Sequence, residues 1–295
     1  MKIRPVILCG GAGTRLWEDK KHHQPKQFID FGGWSLMQKT LERVKNSIFD
    51  YPIISTNNKY LSQVKKSLKR SKISKYKIVL EPTKKNTAPA ILSSALITDI
   101  PYNQPLVYFS ADHLLEKNSV FINAIKKTSS KLNDKNIFIF GIKPTGPSSE
   151  YGYFLTQKLK NNINKVLKFI EKPNASKAKQ LIKKKCYWNS GMFFLRKDSI
   201  INNFKKYQPK TYRNCLNAVN KAKHKANTYY LNKASFIKAT AKSFDYAILE
   251  KTKQINAIKL DIPWSDLGSW KEILKMYDKN KNKYIKKKNI FYRPW

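Results

Sequence analysis

The residues near the N-terminus combine an apolar segment, a glycine-rich turn and a cation, a pattern suited to binding phosphate. The segment VILCGGAGTRLW places Gly10, Gly11 and Gly13 directly after apolar residues, and Thr14 and Arg15 follow them. Glycine lets a backbone approach phosphate oxygens closely and present its N–H groups to them. The planar guanidinium of Arg15 can then neutralise phosphate charge. These residues predict a nucleoside triphosphate loop, although three glycines alone would also suit an ordinary tight turn between a strand and a helix.

Two familiar phosphate-binding patterns do not fit this loop. A P-loop requires G-x-x-x-x-G-K-[ST], and the chain contains no such run. The dinucleotide fingerprint requires G-x-G-x-x-G, which differs from the spacing of Gly10, Gly11 and Gly13. The predicted loop is therefore of another kind.

A second candidate functional residue is Asp112, in the segment SADH. A carboxylate at the tip of a buried strand is costly unless it is paired or binds a cation. Beside a triphosphate loop, Mg²⁺ is the economical partner, because it takes one or two carboxylates together with phosphate oxygens. We therefore predict that Asp112 is a Mg²⁺ ligand. The neighbouring His113 could act as a base, but we assign it a structural role.

The elements that position these residues alternate between strands and helices. The predicted strands are residues 4–9, 52–55, 77–80, 106–109 and 137–141, and the predicted helices are residues 35–46 (with Ser35 as N-cap), 60–68, 87–97, 121–132, 196–204 and 211–222. Repeated β-α units of this length favour an α/β fold with a mainly parallel sheet and helices on both faces. Ligands of such sheets bind beyond the carboxyl ends of the strands. The chemically active residues should therefore follow directly after strands.

Composition limits the class of protein. The chain has 295 residues, 41% of them hydrophobic, and is long enough for a large core. It has no apolar run long enough to span a membrane and no secretory leader pattern. Three widely spaced cysteines, Cys9, Cys186 and Cys215, suggest neither a disulfide framework nor a metal-binding pair. We therefore expect a cytoplasmic globular protein with no membrane partner.

The net charge is strongly positive. There are 59 Lys and Arg residues against 19 Asp and Glu residues, a formal charge of +40. A basic surface can bind nucleic acid through counterion release. However, the lysines are scattered along the whole chain and no nucleic-acid-binding signature accompanies them. We therefore expect a solvated, lysine-rich surface and no specific nucleic acid partner, with weak non-specific binding at low salt.

Several motifs, in a fixed order, resemble the sugar nucleotidyltransferases, and specifically the mannose-1-phosphate guanylyltransferases. They are G-G-x-G-T-R-L-W at residues 10–17, P-K-Q-F at 25–28, E-P-x-x-x-N-T-A-P-A at 81–90, A-D-H at 111–113, Y-G-Y at 151–153, F-I-E-K-P at 169–173, W-N-S-G-M at 188–192, D-Y-A-x-x-E-K at 245–251 and W-S-D-L-G-S-W at 264–270. The resemblance covers nearly the whole chain. It implies a Rossmann-like, glycosyltransferase-A-like fold with a mainly parallel mixed central sheet flanked by helices.

The resemblance also implies a role for individual residues. The implied nucleotide-binding residues are Leu8, Gly10, Gly11, Ala12, Gly13, Thr14, Arg15, Lys26, Glu81, Asn86, Ala88 and Asp112. The implied sugar-binding residues are Gly152, Glu171, Lys172 and Asn189. Asp112 and Asp266 would hold the cofactor Mg²⁺, and Arg15, Lys26, Asp112 and Lys172 would be the catalytic residues.

Some of these residues have simpler interpretations. Asn86, with Thr87, could cap the helix that follows it. Glu171 and Lys172 could form a surface ion pair, and as neighbours on a strand they would point to opposite faces unless the strand ends there. We interpret Asp245 as a hydrogen-bonding support or a sugar contact.

The chain departs from the family pattern at several places. Lys85 replaces a usual arginine and Glu150 a usual glycine. Residues 18–24 replace the usual loop, so that Lys21 is at best the counterpart of its arginine, and lysine cannot reproduce bidentate phosphate contacts. The last residues, 276–295, form a basic tail where the family continues into a β-helical segment.

The implied reaction is the formation of GDP-mannose and pyrophosphate from GTP and mannose 1-phosphate. The expected partners are therefore GTP and mannose 1-phosphate as substrates, and a second copy of the chain in a homodimer. We expect a nucleotidyltransferase domain at residues 1–275, with a nucleotide-binding half at about 1–145 and a sugar-binding half at about 146–275. The alternatives are a related nucleotidyltransferase for another sugar or base, and a catalytically impaired homologue that acts as a regulatory or binding subunit.

Overall fold

A large mixed β-sheet forms the centre of the molecule. The computed structural model describes residues 1–11, 13, 16, 24–31, 33–159 and 164–273. The strands of this part of the chain are β1 (Arg4–Leu8), β2 (Ile53–Asn57), β3 (Lys77–Glu81), β4 (Pro105–Ser110), β5 (Leu114–Leu115), β6 (Ile137–Ile142), β7 (Tyr153–Lys158), β8 (Asn164–Ile170), β9 (Tyr187–Arg196), β10 (Lys223–Lys225), β11 (Thr228–Tyr230), β12 (Ile255–Leu260) and β13 (Trp264–Ser265).

Eleven of these strands form one sheet in the order β10-β11-β3-β2-β1-β4-β9-β6-β12-β8-β7, while β5 and β13 form a separate pair. Strands β11, β3, β2, β1 and β4 are mutually parallel. Strand β9 runs antiparallel between β4 and β6, and β6 is parallel to β12. The prediction of a mainly parallel, mixed central sheet is therefore confirmed.

Helices cover both faces of this sheet. They are α1 (Leu36–Arg43), α2 (Leu61–Arg70), α3 (Thr87–Leu96), α4 (Asn118–Ser129), α5 (Ala175–Lys183), α6 (Lys197–Tyr207), α7 (Pro209–Asn220) and α8 (Lys233–Phe236). Alternate residues of β1 point to opposite faces. Ile7 lies in the hydrophobic core with residues of α1, α2, α4 and α5, and Val6 lies in a second core with residues of α3, α6 and α7.

The predicted strands and helices of the first half are confirmed, with displaced ends. Ser35 caps α1 as predicted, its hydroxyl accepting a hydrogen bond from the Gln38 N–H at 3.3 Å. Helix α4 begins at Asn118 rather than at 121. The prediction was late because the hydrophobic pattern marks only the buried face of the helix, which starts at Phe121. Helix α7 begins at Pro209 rather than 211, and proline at the first helical position is a start signal that the hydrophobic pattern does not contain.

The two predicted halves of the chain share the sheet. Strand β9, from the second half, pairs with β4 and β6 of the first half. The division of binding roles between residues 1–145 and 146–275 stays a prediction, and the basic tail at 276–295 lies outside the described residues. Among the described helices, none has the length and apolar character needed to cross a membrane.

Candidate active site

A pocket opens at the carboxyl ends of the parallel strands β1 to β4, where ligands of such sheets bind. It has a volume of about 170 Å³. Its walls come from the ends of the four strands, from the residues that follow them and from the first turn of α3: Leu8, Cys9, Gly10, Gly11, Ser55, Asn57, Glu81, Thr83, Lys84, Lys85, Asn86, Thr87, Ala90, Ser110 and Asp112. Six of the residues predicted to bind nucleotide are among them: Leu8, Gly10, Gly11, Glu81, Asn86 and Asp112.

The glycine-rich turn has a local reason for its composition at Gly13. This residue has a φ of +63°, and a Cβ atom built on it would lie 2.9 Å from the backbone nitrogen of Lys26. Any larger residue would therefore be both strained and in collision with backbone. The predicted nucleotide-binding residues Ala12, Thr14 and Arg15, like Lys21, lie outside the described residues, and their phosphate contacts stay predictions.

Lys26 connects two aspartates that are distant in the sequence. It begins a short 3₁₀ helix, Lys26–Phe28, and is only 3% exposed. Its Nζ atom lies 3.1 Å from Oδ2 of Asp112 and also donates a hydrogen bond to the backbone carbonyl oxygen of Asp266. The structure thus brings the two predicted metal ligands together at a single ammonium group.

The Asp112 carboxylate is held in its ionised form. Burial by itself would raise its pKa, but the positive charges of Lys26 and His113 and a hydrogen bond from Lys26 outweigh burial, and the pKa lies below its ordinary value. The pKa of His113 is lowered, mainly by burial, against the opposing effect of Asp112. Its ring packs edge-on against Trp264 at 5.4 Å between centroids. This packing of the ring suits the structural role assigned to His113.

The donor chemistry at this point fits Mg²⁺. Asp112 and Asp266 both offer carboxylate oxygens, which are the ligands that Mg²⁺ prefers. The side chain of Asp112 is 31% exposed at the pocket, so it remains accessible to an ion. Within the described residues no group of three or more His, Cys, Asp or Glu side chains could hold a metal ion. Mg²⁺ held by Asp112 and Asp266 would take its remaining ligands from water and substrate phosphates.

Glu81 is a buried carboxylate in the first pocket. It is 7% exposed at the end of β3, and its Oε1 accepts a hydrogen bond from the Ser55 hydroxyl at 2.7 Å. Burial raises its pKa to about 7, although the Ser55 hydrogen bond acts in the opposite direction. A ligand that donates hydrogen bonds to Glu81 would therefore stabilise its ionised form.

Asn86 caps α3 and also lines the pocket. Its Oδ1 accepts a hydrogen bond from the Thr87 N–H at 2.8 Å, and its backbone has a φ of +67°. The capping interpretation is thus confirmed, and it leaves the side chain at the pocket wall. Ala88, by contrast, is 1% exposed and donates its N–H to the Lys242 carbonyl oxygen at 3.1 Å. The structure places Ala88 outside the lining, where Ala90 stands instead.

A second pocket, of about 230 Å³, adjoins the first, because Asn86 and Thr87 line both. The four predicted sugar-binding residues, Gly152, Glu171, Lys172 and Asn189, all line it. Its other residues are His113, Glu150, Tyr151, Ser190, Gly191, Ser243, Asp245, Trp264 and Asp266. Asp266 therefore lies in the wall of the second pocket and Asp112 in the wall of the first.

The backbone explains how two neighbouring residues can serve this second pocket. Strand β8 ends at Ile170, and Lys172 has a φ of +45°, so the alternation of a strand no longer applies to Glu171 and Lys172. The Glu171 side chain is 9% exposed, whereas that of Lys172 is 55% exposed, and their charged atoms are 4.0 Å apart. A Cβ on Gly152 would lie 2.5 Å from Oε2 of Glu171, so any larger residue there would require this carboxylate to move.

Asp245 holds Asn189 in the wall of the second pocket. Its Oδ1 accepts a hydrogen bond from Nδ2 of Asn189 at 2.8 Å, as expected of a supporting residue. Oδ1 of Asn189 in turn accepts from the Gly191 N–H at 3.3 Å. Burial raises the pKa of Asp245, and both burial and the charge of Asp245 raise the pKa of Glu171. The pocket floor is thus a set of buried carboxyl groups that favour a ligand rich in hydroxyl donors.

Sequence reasoning did not select several lining residues. Ser55 and Asn57 come from the end of β2, and Nδ2 of Asn57 donates to the Gly10 carbonyl oxygen at 3.4 Å. The rule that ligands gather at strand ends could have indicated them. Tyr151 and Trp264 belong to recognised motifs, but nothing in the sequence indicated that their rings would meet.

Comparison with known proteins gives a consistent result. Residues 4–283 match the family model described as nucleotidyl transferase. The mannose-1-phosphate guanylyltransferase RfbM of Salmonella typhimurium is 32% identical over 297 residues, which cover 99% of this chain and 62% of RfbM. The alginate biosynthesis protein AlgA of Pseudomonas aeruginosa is 30% identical, over 97% of this chain and 61% of its own. The chain thus spans about three fifths of the length of these curated relatives.

Solved structures share the fold. A Helicobacter pylori protein described as a mannose-6-phosphate isomerase has a TM-score of 0.77 and 28% identity, over 90% of this chain and all of its own. A Thermus thermophilus protein described as a mannose-1-phosphate geranyltransferase has a TM-score of 0.80 and 22% identity, over 94% of this chain and 79% of its own.

Proposed function

Because the chain belongs to the nucleotidyl transferase family, we propose that it is a mannose-1-phosphate guanylyltransferase, which forms GDP-mannose and pyrophosphate from GTP and mannose 1-phosphate. Its curated relatives of about 30% identity include one named for this activity. The observation that carries the proposal is the meeting of Asp112 and Asp266 at Lys26, at the junction of two adjoining pockets. A nucleotide in one pocket and a sugar phosphate in the other would meet at this junction.

The first pocket suits a guanine base through Glu81. The Watson–Crick edge of guanine carries two adjacent N–H donors, and a carboxylate can accept both. Adenine places an acceptor at the corresponding ring nitrogen, which would face the oxygens of the ionised carboxylate without a proton between them. Buried polar groups left unpaired by the wrong ligand give strong discrimination. Glu81 would therefore select GTP over ATP.

The second pocket suits the sugar phosphate. Glu171 can accept hydrogen bonds from two sugar hydroxyls, and Asn189, held by Asp245, can contribute to the same surface. Lys172 has an exposed ammonium group at the rim of the pocket, where it can attract the phosphate of the second substrate. Glu171 and Asn189 would thus recognise the sugar hydroxyls, and Lys172 would neutralise the phosphate charge.

The reaction is a displacement at phosphorus. An oxygen of the sugar phosphate attacks the α-phosphorus of GTP in line, the bond from that phosphorus to the bridging oxygen of the β-phosphate breaks, and pyrophosphate leaves. Catalysis of such a step consists mainly of positioning and neutralisation of charge. Asp112 and Asp266 would hold Mg²⁺, which when bound neutralises phosphate charge. Arg15 and Lys26 would supply further positive charge to the triphosphate, and Lys172 would orient the attacking phosphate.

The test is release of pyrophosphate by the purified chain, with Mg²⁺ and mannose 1-phosphate, comparing GTP with ATP, UTP and dTTP. Release that requires both GTP and mannose 1-phosphate supports the proposal. Release with another base or sugar phosphate would move the assignment to a related nucleotidyltransferase. If folded protein binds GDP-mannose and releases no pyrophosphate with any pair, the chain is a binding subunit, and the changed loop at residues 18–24 becomes the first place to examine.

A further inference from the structure

We propose that Tyr151 is a positioning residue, which orients the carboxylate of Asp266 toward the divalent metal ion. The inference rests on the proposed function, because it takes Asp266 to be a metal ligand. Tyr151 lies in the wall of the second pocket, in the segment before β7, so it joins the sugar-phosphate pocket to the metal-binding residues.

The hydroxyl of Tyr151 is directed at Asp266. It donates a hydrogen bond to Oδ1 of Asp266 at 2.8 Å, and the Gly268 N–H reaches the same oxygen at 3.2 Å. Two donors on one oxygen restrict rotation of the carboxylate about its Cβ–Cγ bond. Asp266 is also only 7% exposed, so water competes little for these contacts.

The ring of Tyr151 is fixed by two indoles. Its centroid lies 4.7 Å from that of Trp188 and 5.2 Å from that of Trp264, both at steep interplanar angles. Trp188 belongs to β9 in the central sheet, and Trp264 to β13, two residues before Asp266. The direction of the hydroxyl is therefore set by packing against regular strands, as a precise positioning group requires.

The third contact on Asp266 has a different purpose. Lys26 donates to its backbone carbonyl oxygen, which fixes the main chain but not the side chain. The carboxylate itself accepts the hydrogen bonds from Tyr151 and Gly268. Hydrogen-bond partners of metal ligands typically contribute about 10- to 100-fold to metal affinity or activity. Loss of the Tyr151 hydroxyl should therefore weaken metal binding without removing a ligand.

The experiment compares Tyr151→Phe with Tyr153→Phe. The first variant keeps the ring between the two tryptophans and loses only the hydroxyl. The second removes a hydroxyl two residues away, at the first residue of β7. That hydroxyl bonds instead to the backbone of Ser148, at 2.9 Å from both its nitrogen and its oxygen. Mn²⁺ is titrated into each protein saturated with GTP, and binding is read from the enhancement of water proton relaxation, which separates protein-bound Mn²⁺ from Mn²⁺ on free nucleotide. Asp266→Asn marks the loss of the metal ligand.

We expect Tyr151→Phe to lower Mn²⁺ affinity by about 10- to 100-fold and to lower kcat. Its KM for mannose 1-phosphate should stay within about twofold of wild type. Tyr153→Phe should bind Mn²⁺ like wild type. Wild-type Mn²⁺ affinity in Tyr151→Phe would overturn the inference alone, as would a raised KM with unchanged kcat, which would make Tyr151 a sugar contact. Equal Mn²⁺ binding by wild type and Asp266→Asn would overturn both the inference and the proposed metal site.

Discussion

The ammonium group of Lys26 lies 3.1 Å from the carboxylate of Asp112 and also bonds to the backbone of Asp266, 240 residues further along the chain. The buried ammonium group of Lys26 thus holds Asp112 and Asp266, the two predicted metal ligands, close to each other. Lys26 therefore has a structural role in addition to any contact with phosphate.

Replacement of Lys26 by Met should damage both stability and activity. Removing one partner of a buried ion pair typically costs about 3–5 kcal/mol, and the partial exposure of Asp112 should place the cost below that range. We expect a lower melting temperature and a fall in kcat/KM of at least about 10²-fold. Thermal unfolding and steady-state kinetics would measure the two effects. A variant with wild-type stability would show that the bridge contributes nothing to the fold.

Asp112→Asn should lower both activity and stability. The amide keeps the size of the side chain but removes the charge that a metal ligand requires, so we expect kcat/KM to fall by about 10³-fold or more. The melting temperature should also fall, because the buried Lys26 ammonium group loses its ion-pair partner. Asp261→Asn, at an exposed position, is the matched control and should retain full activity. Near-wild-type activity in Asp112→Asn would exclude Asp112 as a metal ligand.

Glu81→Gln should change the choice of base. The amide offers one donor and one acceptor, so it repels one of the two guanine donors and can pair with adenine. We expect kcat/KM for GTP to fall by about 10²-fold or more, while that for ATP falls less or rises. Ser55→Ala, which removes only the hydroxyl bonded to Glu81, should have a smaller effect on the ratio. An unchanged preference for GTP would place base recognition elsewhere.

Glu81 should also make stability depend on pH. Its pKa in the folded state is about 7, raised from 4.5 by burial, so the folded protein binds the proton more tightly than the unfolded chain. The associated stability is present below about pH 4.5 and is lost as pH rises toward 7, by on the order of 3 kcal/mol. Denaturant titrations at several pH values should show this fall in wild type and not in Glu81→Gln. Parallel curves for the two proteins would contradict the assignment.

Gly152→Ala should act on the sugar phosphate alone. The new methyl group would lie 2.5 Å from Oε2 of Glu171 and 3.2 Å from the ring of Phe169, so the carboxylate must move. We expect KM for mannose 1-phosphate to rise by about 10-fold, an effect of about 1.4 kcal/mol on binding, with KM for GTP nearly unchanged. Gly146→Ala is the control, because a Cβ there meets no atom within 4 Å. Equal effects on both substrates would show a general distortion.

The sequence was sufficient for the fold of the first half and for part of the pocket walls. Alternating β-α units predict a parallel sheet, and the rule of strand ends then places Gly10, Glu81 and Asp112 around one pocket. The sequence could not predict that Lys26 would bond to the backbone of Asp266, because that contact depends on how β5 and β13 form their separate pair. The meeting of Tyr151 with two tryptophans likewise depends on the register of β9.

The central position of β9 has a consequence for how the chain folds. The sheet cannot be closed between β4 and β6 until residues 187–196 have been synthesised, since β9 supplies the strand that joins them. Its pairings with β4 close loops of about ninety residues, and contacts of such high sequence separation slow folding. A chain interrupted near residue 145 would therefore leave the edges of β4 and β6 open to pairing with other chains, and it would aggregate rather than form an independent nucleotide-binding unit.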